Sequence, residues 1–340
     1  MPMNSVLVIG SGFLGGHIIR QLCERENLRI AAFDLFENEK LLHELHGQFT
    51  MYTGDLTKQG DIERVFEEFH PRVVIHTASP VHNLARDIYF EVNVDGTANI
   101  IKACQKFNVD ALVYTSSAGV VFNGADLINV DESQPIPEVH MDAYNESKAL
   151  AEKQVLEASS ESLKTAALRV AGLFGPGDRQ LVPGMLSVLK NGQTKFQLGD
   201  NLNLFDFTYI ENAAYAHLLA MDNLLSSNPT ANGQVFFITN GQVIYFWDFA
   251  RAIWAHAGHV PPYIIKFPRP VGMLLATAAE WVCYFLKKEP GFTRFRVQFS
   301  CANRYFNIQK AEDVLKYHPI VDLEEGIRRT LAWMDTEKKH

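Results

Sequence analysis

Val6-Leu7-Val8-Ile9-Gly10-Ser11-Gly12-Phe13-Leu14-Gly15 begins as a short apolar run, breaks into glycines, and resumes with apolar residues at helical spacing from Phe13 to Glu24. The change of period across the break predicts a strand, a tight turn and a helix. In that setting Gly-x-Gly-x-x-Gly has a mechanical meaning. One glycine makes the turn, one lets backbone N–H groups approach a pyrophosphate, and one lets helix pack on strand, with the helix N-terminus facing the negative charge. Nineteen residues after Gly15, closing the next predicted strand, stands Asp34, where a carboxylate can accept from the adenosine ribose hydroxyls and would repel a 2′-phosphate. Leu35 and Phe36 follow it where an arginine would favour NADP, so the cofactor expected is NAD.

The same alternation continues outward. Short runs at Val6–Ile9, Arg29–Phe33, Phe49–Tyr52, Val73–Thr77, Ala111–Thr115 and Thr165–Val170 read as strands; Phe13–Glu24, Asp61–Phe69, Asp87–Phe107 and Asp142–Ser159 read as helices. Repeated βαβ units predict an α/β fold: a doubly wound, Rossmann-type parallel sheet. After Gly175 the chain turns to glycine, proline and aromatic residues, with a helix at Tyr245–Ala257, a helix at Ile210–Met221 and a strand at Val235–Thr239 that returns to the main sheet. The expected division is a dinucleotide-binding portion over 1–175, joined by 205–240, and a smaller, interleaved substrate portion over 176–204 and 241–340.

Composition narrows the function classes. The 340 residues include 47% hydrophobic ones, enough for a sizeable core, and 31 basic against 39 acidic residues leave a net charge of −8. The broad positive footprint of a nucleic-acid binder is missing. Cys23, Cys104, Cys283 and Cys301 form no CxxC pair, which suits a reducing compartment. The first twenty residues lack a signal-peptide pattern, and no stretch of about 20 apolar residues predicts a membrane span. His43 with His46, and His256 with His259, have no acidic or cysteine partners at ligand spacing, so no metal is expected. There is neither a fixed-period repeat nor a low-complexity tract.

Tyr144 and Lys148 are four apart on a predicted helix and so share a face. A tyrosine, with an ordinary pKa of about 10, becomes a usable base when an ammonium nearby lowers it by roughly 1 to 3 units. It can then take the proton of an alcohol while hydride leaves the same carbon. Tyr284 and Lys288 repeat the spacing but close an apolar helix far from any βα turn. Ser117 distinguishes the first pair: Ser116-Ser117 ends the fifth predicted strand, where a hydroxyl can steady a substrate oxygen, with Ser116 standing in if the strand end shifts. Asp55 and Leu56 after the third strand, and Ala78 and Ser79 after the fourth, occupy strand ends where open α/β sheets bind ligands.

Together these motifs resemble the extended short-chain dehydrogenase/reductase superfamily over nearly the whole chain. Longer strings, Val113–Gly124, Pro135–Glu138, Asp142–Lys148, Phe174–Gly184, Asn203–Tyr209 and Phe236–Asn240, resemble its 3β-hydroxysteroid dehydrogenase branch, and within it the decarboxylating members that act on 4α-carboxysterols. The resemblance implies NAD-dependent oxidation of a 3β-hydroxyl with loss of the C4 carboxylate as CO₂. In it Tyr144 is the base, Lys148 binds the nicotinamide ribose and lowers the tyrosine pKa, Ser117 orients the hydroxyl, and Asn93 supports the active-site helix. Val170, Ala171 and Leu173 would approach the nicotinamide. Two departures stand out: Ile9 falls where the superfamily's usual GxxGxxG has its first glycine, making this turn one residue shorter, and Val170 falls where proline is frequent. Neither removes a reacting group.

A sterol needs an apolar trough, for which Phe292, Phe295, Phe299 and Tyr305 are candidates. Its carboxylate needs a cation, for which Arg179 is the first candidate, with a salt bridge to Asp178 or a loop-pinning role as the alternative. Val271–Leu286, with Lys266 and Arg269 before it and Lys287 and Lys288 after, suits either a membrane interface or a helix buried in the substrate portion. The family resemblance further implies a peripheral place on the cytosolic face of the endoplasmic reticulum and contact with other sterol C4-demethylation enzymes. The helices Asp87–Phe107 and Asp142–Ser159 offer outer faces for a homodimer. Competing readings on the same motifs are a 3β-hydroxysteroid dehydrogenase/isomerase, a nucleotide-sugar epimerase, and a non-catalytic dinucleotide sensor.

Overall fold

The computed structural model describes residues 4–81, 84–286 and 292–337. Seven strands form one wholly parallel sheet: β1 (Asn4–Ile9), β2 (Leu28–Asp34), β3 (Thr50–Thr53), β4 (Val73–His76), β5 (Ala111–Ser117), β6 (Lys164–Val170) and β7 (Gln234–Ile238). Their spatial order is β7-β6-β5-β4-β1-β2-β3, so the chain runs outward from β1 to β3 and then crosses back to β4. That reversal opens a crevice at the carboxyl ends of β1 and β4, the place where doubly wound sheets bind ligands. Strands buried on both faces need few polar residues, and the aliphatic runs Val6–Ile9, Val73–Ile75 and Ala111–Val113 of β1, β4 and β5 are fully buried.

Period-two alternation sorts the side chains into two cores. Val6, Val8, Ile30 and Val113 meet the helices Phe13–Cys23 and Ile210–Leu224 on one face. Leu7, Ile9, Phe33 and Val74 meet Gln59–Phe69, Gly96–Lys106 and Ala143–Glu157 on the other. Each fully buried side chain of this size contributes about 1.5–3 kcal/mol. The expected helix over Asp87–Phe107 is present with a π-helical stretch at Phe90–Asp95 between Arg86–Tyr89 and Gly96–Lys106.

Beyond the carboxyl ends of the strands sits a second, four-stranded sheet in the order Ile244–Tyr245, Leu204–Phe205, Arg304–Phe306, Leu127–Val130. It draws strands from between β5 and β6, from between β6 and β7, and from after β7, so three separated parts of the chain close over the crevice together. The helix Leu181–Lys190 falls in a stretch read as loop, because Pro183 and Gly184 disguise it; proline is tolerated there because it lies in the first turn. The Asp178 carboxylate accepts from the N–H groups of Gln180, Leu181 and Val182, starting that helix.

A buried ion pair ties Ala143–Glu157 to the sheet. Arg169 on β6 donates to Glu152 at 2.7 Å, with the side chains 4% and 1% exposed, and Ser116 Oγ donates to the same carboxylate. Removing one partner leaves the other charge buried and unmatched, at a cost of about 3–5 kcal/mol. Glu152→Ala is therefore expected to lower unfolding stability by about that amount in urea titrations, and a loss under about 1 kcal/mol would refute the assignment.

Candidate active site

At the end of β1 the glycine turn is packed so closely that an ideal Cβ on Gly15 would lie 1.7 Å from the Gly10 carbonyl oxygen. Helix and strand can meet at this distance only without a side chain. Gly12, by contrast, has nothing within 4 Å of where its Cβ would be, so the backbone N–H groups opening Phe13–Cys23 face clear space. No acidic residue occupies the first turn and no side chain caps it. That end is therefore left open to an anion. Asp34 braces the turn: its Oδ2 accepts from Ser11 N at 2.6 Å and Ser11 Oγ at 2.9 Å, and its Oδ1 from Leu35 N at 2.7 Å.

A continuous cleft of about 2820 Å³ runs from this turn past the ends of β4, β5 and β6 to the second sheet. Gly10, Gly12, Phe13, Leu14, Gly15, Asp34, Asp55, Leu56, Ala78 and Ser79 line its first half, and Ser117, Tyr144, Lys148, Val170, Ala171 and Leu173 its middle. The volume exceeds that of ordinary single-ligand pockets, about 300–1,000 Å³, and leaves room for a dinucleotide and a second large molecule.

Alternation along β5 decides which serine reaches the cleft. Ser116 is spent on Glu152, whereas Ser117 Oγ accepts from Gly119 N at 3.0 Å and lies beside the Tyr144 hydroxyl, whose ionisation it favours together with Ser79. Tyr144 and Lys148 come together from the helix Ala143–Glu157, which begins where Asp142 Oδ1 accepts from Asn145 N at 2.7 Å. Asn93, in the π-helical stretch, donates to Ser147 Oγ at 2.9 Å, and Ser147 donates to the Tyr144 carbonyl at 2.8 Å, so this asparagine props the helix from behind.

The electrostatics differ from the expectation that Lys148 lowers the Tyr144 pKa. Burial dominates: it lifts the Tyr144 hydroxyl to about 12, aided by the negative charge of Asp142, and the hydroxyls of Ser117 and Ser79 offset only part of this. Burial likewise lowers the Lys148 ammonium to about 7. Lys148 Nζ donates to the Thr115 carbonyl and lies 4.3 Å from the centre of the Tyr114 ring. Sequence spacing put the two groups on one face but could not reveal how dry that face is. The same burial holds His217 neutral, with Nε2 accepting from Thr115 Oγ1 at 2.7 Å.

Of the proposed apolar liners, Phe292, Phe295 and Phe299 border the far half of the cleft. Tyr305 is not among its lining residues, because along Arg304–Phe306 the odd member points the other way. Arg179 is exposed at the cleft, and Asp178 is committed to the helix start described above, so no salt bridge joins them. Sequence reading assigned no role to Arg304, Asp206 or Phe122, all of which line the cleft; Phe122 and Asp206 fall inside strings that carry the family resemblance, whereas Arg304 sits in an ordinary strand pattern with no motif. Lys287 and Lys288, and with Lys288 the second Tyr-x-x-x-Lys match, lie outside the described residues. Among the described residues no helix is long and apolar enough to cross a membrane.

The sequence profile of the 3-beta hydroxysteroid dehydrogenase/isomerase family matches residues 6–269. The chain is 50% identical to the sterol-4-alpha-carboxylate 3-dehydrogenase, decarboxylating, of Saccharomyces cerevisiae, an alignment covering 98% of each chain. It is 33% identical to the human protein of that description, over 95% of this chain and 86% of the other. Among solved structures, the UDP-glucose 4-epimerase of Thermotoga maritima superposes with a TM-score of 0.75 at 20% identity, covering 98% of this chain and 99% of that one, a likeness of fold.

The lowered Lys148 pKa has a consequence for stability. Folded at about 7 and unfolded at about 10.4, the group contributes stability that is complete above the unfolded value and lost as pH falls through the folded one. The stability difference between wild type and Lys148→Met should therefore rise with pH from about 7 to about 10 in denaturant titrations. A flat difference would show that the amine is not buried as described.

Proposed function

The chain belongs to the 3-beta hydroxysteroid dehydrogenase/isomerase family, and from that premise we propose that it oxidises the 3β-hydroxyl of a 4α-carboxysterol with NAD and releases the carboxylate as CO₂. The observation that carries this reading is the full-length similarity to sterol-4-alpha-carboxylate 3-dehydrogenases. The cleft supports it, since an open helix N-terminus, Asp34 at the ribose position and a Tyr-Lys-Ser group share one crevice. The observed surroundings of Gly12 and Asp34 fit a dinucleotide: Gly10, Ser11, Gly12, Phe13, Leu14 and Gly15 would hold its pyrophosphate and Asp34 its ribose, with Asp55, Leu56, Ala78 and Ser79 beside them.

Bound NAD would supply the hydride acceptor for C3 and a positive charge in the part of the cleft that Tyr144 and Lys148 line. Tyr144, as phenolate, takes the hydroxyl proton while Ser117 holds the oxygen. Lys148 steadies the nicotinamide ribose and orients the end of β5 through the Thr115 carbonyl. Oxidation leaves a β-keto acid. The C4–CO₂ bonding pair then moves into the C3 carbonyl, giving an enolate whose oxygen receives hydrogen bonds from Ser117 and the reprotonated Tyr144, and C4 is protonated last. The proposed division of labour places the dinucleotide on 1–175 with 205–240 and the sterol on 176–204 with 241–340, where Phe292, Phe295 and Phe299 supply apolar walls.

A sterol arrives from lipid, and the helix Arg269–Phe285 supports delivery from a membrane surface. Leu274, Trp281, Tyr284 and Phe285 are 71%, 61%, 76% and 73% exposed, whereas its buried positions are Gly272 and Ala276. Its Leu275 lines the cleft, so the apolar surface is continuous with the site. The reading is a peripheral contact on the cytosolic face of the endoplasmic reticulum, by family resemblance. A homodimer through the outer sides of Gly96–Lys106 and Ala143–Glu157 is likewise proposed, with half-exposed Leu150 as its apolar centre.

Incubation with NAD and a 4α-carboxysterol should yield NADH and CO₂ in equal amounts; NADH without CO₂ from a neutral 3β-hydroxysteroid alone would favour the dehydrogenase/isomerase reading. Tyr144→Phe should retain NAD binding by calorimetry and lose at least about 100-fold in kcat, the scale of a general base. Undiminished turnover would remove Tyr144 from the reaction. Leu274→Glu with Trp281→Glu should reduce co-sedimentation with liposomes severalfold while leaving the fold intact by circular dichroism.

A further inference from the structure

Among the described residues lining the cleft, Arg304 is a buried cation to which the chemistry above gives no task. Along Arg304–Phe306, alternation turns Arg304 and Phe306 into the cleft. Arg304 is only 8% exposed, and its guanidinium carbon lies 4.4 Å from the centre of the Phe122 ring, 4.5 Å from that of Phe299 and 5.3 Å from that of Phe205. Aromatic faces attract a cation but accept few hydrogen bonds. Its Nε is buried without a hydrogen-bond partner. Among the described residues no carboxylate forms an ion pair with it.

Among the described residues no neighbouring acid hydrogen-bonds it. Asp142 acts on Arg304 only as a nearby negative charge, its two oxygens accepting from Asn145. Asp206 Oδ2 accepts from the Phe306 amide at 2.9 Å, and burial lifts its carboxyl to about 7, which weakens its hold on a charge near neutrality. A desolvated guanidinium lacking an anionic partner is costly to keep. Such a residue is stable in this position when a ligand brings the missing oxygens.

Its location also fits. Phe122, on whose ring Arg304 rests, follows Ser117 across the 3₁₀ stretch Ala118–Val121, and Ser117, Phe122, Tyr144 and Arg304 all line the cleft. Arg304 therefore stands on the cleft wall that continues from the end of β5. In the proposed substrate the hydroxyl and the carboxylate stand on adjacent carbons, so the carboxylate's receptor must lie next to the base. Arg179, exposed and hydrated, would gain less from the same contact.

We propose that Arg304 receives the C4 carboxylate of the sterol and sets the preference for carboxylated over neutral substrates. The inference rests on the carboxysterol reading. It is tested by kcat/KM, read from NADH, for a 4α-carboxy-3β-hydroxysterol and for the same sterol lacking the carboxylate, in wild type, Arg304→Met, Arg304→Lys and Arg179→Met. Arg304→Met should lower the selectivity ratio about 10- to 150-fold, the scale of losing hydrogen bonds to a charged group, mainly through KM. Arg304→Lys should recover part of it, as a point charge without the planar fork. Equal losses on both substrates would make Arg304 a structural pin and overturn the proposal. So would a collapsed ratio in Arg179→Met alone. If Arg304→Met does not fold, the ratio in Arg304→Lys decides between the same outcomes. Wild type that oxidises no carboxysterol would instead defeat the functional reading itself.

Discussion

The face of Ala143–Glu157 that meets the sheet carries Tyr144, Lys148 and Glu152 at successive four-residue steps, and their attachment to the ends of β5 and β6 governs the site. Glu152 takes Arg169 and Ser116, Lys148 takes the Thr115 carbonyl, and Tyr144 is left at the cleft with Ser117. Each step along the helix from Tyr144 leads further from the crevice. Because β5 alternates, the serine spent on Glu152 and the serine facing Tyr144 are necessarily neighbours. A register slip of one residue would exchange them and dissolve the arrangement.

That attachment is dry, and dryness controls the chemistry. Burial raises Tyr144, lowers Lys148 and keeps His217 neutral, so the resting site carries little ionised charge despite its polar residues. A site of this kind responds strongly to any charge brought into it, since the field of one ion is weakly screened. The proposed cofactor would bring a cation beside the phenol, and the proposed substrate an anion beside Arg304. Both supply what the protein alone withholds, which is an economical way to couple binding to reactivity.

The second sheet gives this polar centre an apolar roof. Its strands come from three separated parts of the chain and set Phe205 and Arg304 over the crevice, the helix Arg294–Cys301 adds Phe299, and Arg269–Phe285 extends the apolar surface outward. Edge-on and tilted contacts among Phe205, Phe246 and Phe299, with Arg304 over the rings of Phe205 and Phe299, make this roof a packed layer rather than a loose flap.

The parallel sheet, its order of strands and helices, the glycine turn, Asp34 and the Tyr144–Lys148 face were legible in the residues themselves, because each depends on contacts close in sequence or on a period that repeats along it. Helix Leu181–Lys190 was hidden by Pro183 and Gly184, and the dry surroundings of Tyr144, which reverse the direction of its pKa shift, depend on side chains from elements far apart in the chain. Arg304 illustrates the limit: nothing in Asn303-Arg304-Tyr305-Phe306 distinguishes it from a surface arginine on an edge strand. Only the folding of that strand against Leu204–Phe205 and Leu127–Val130 removes it from water, because burial and unmet hydrogen bonds are properties of the assembled molecule and not of any local pattern.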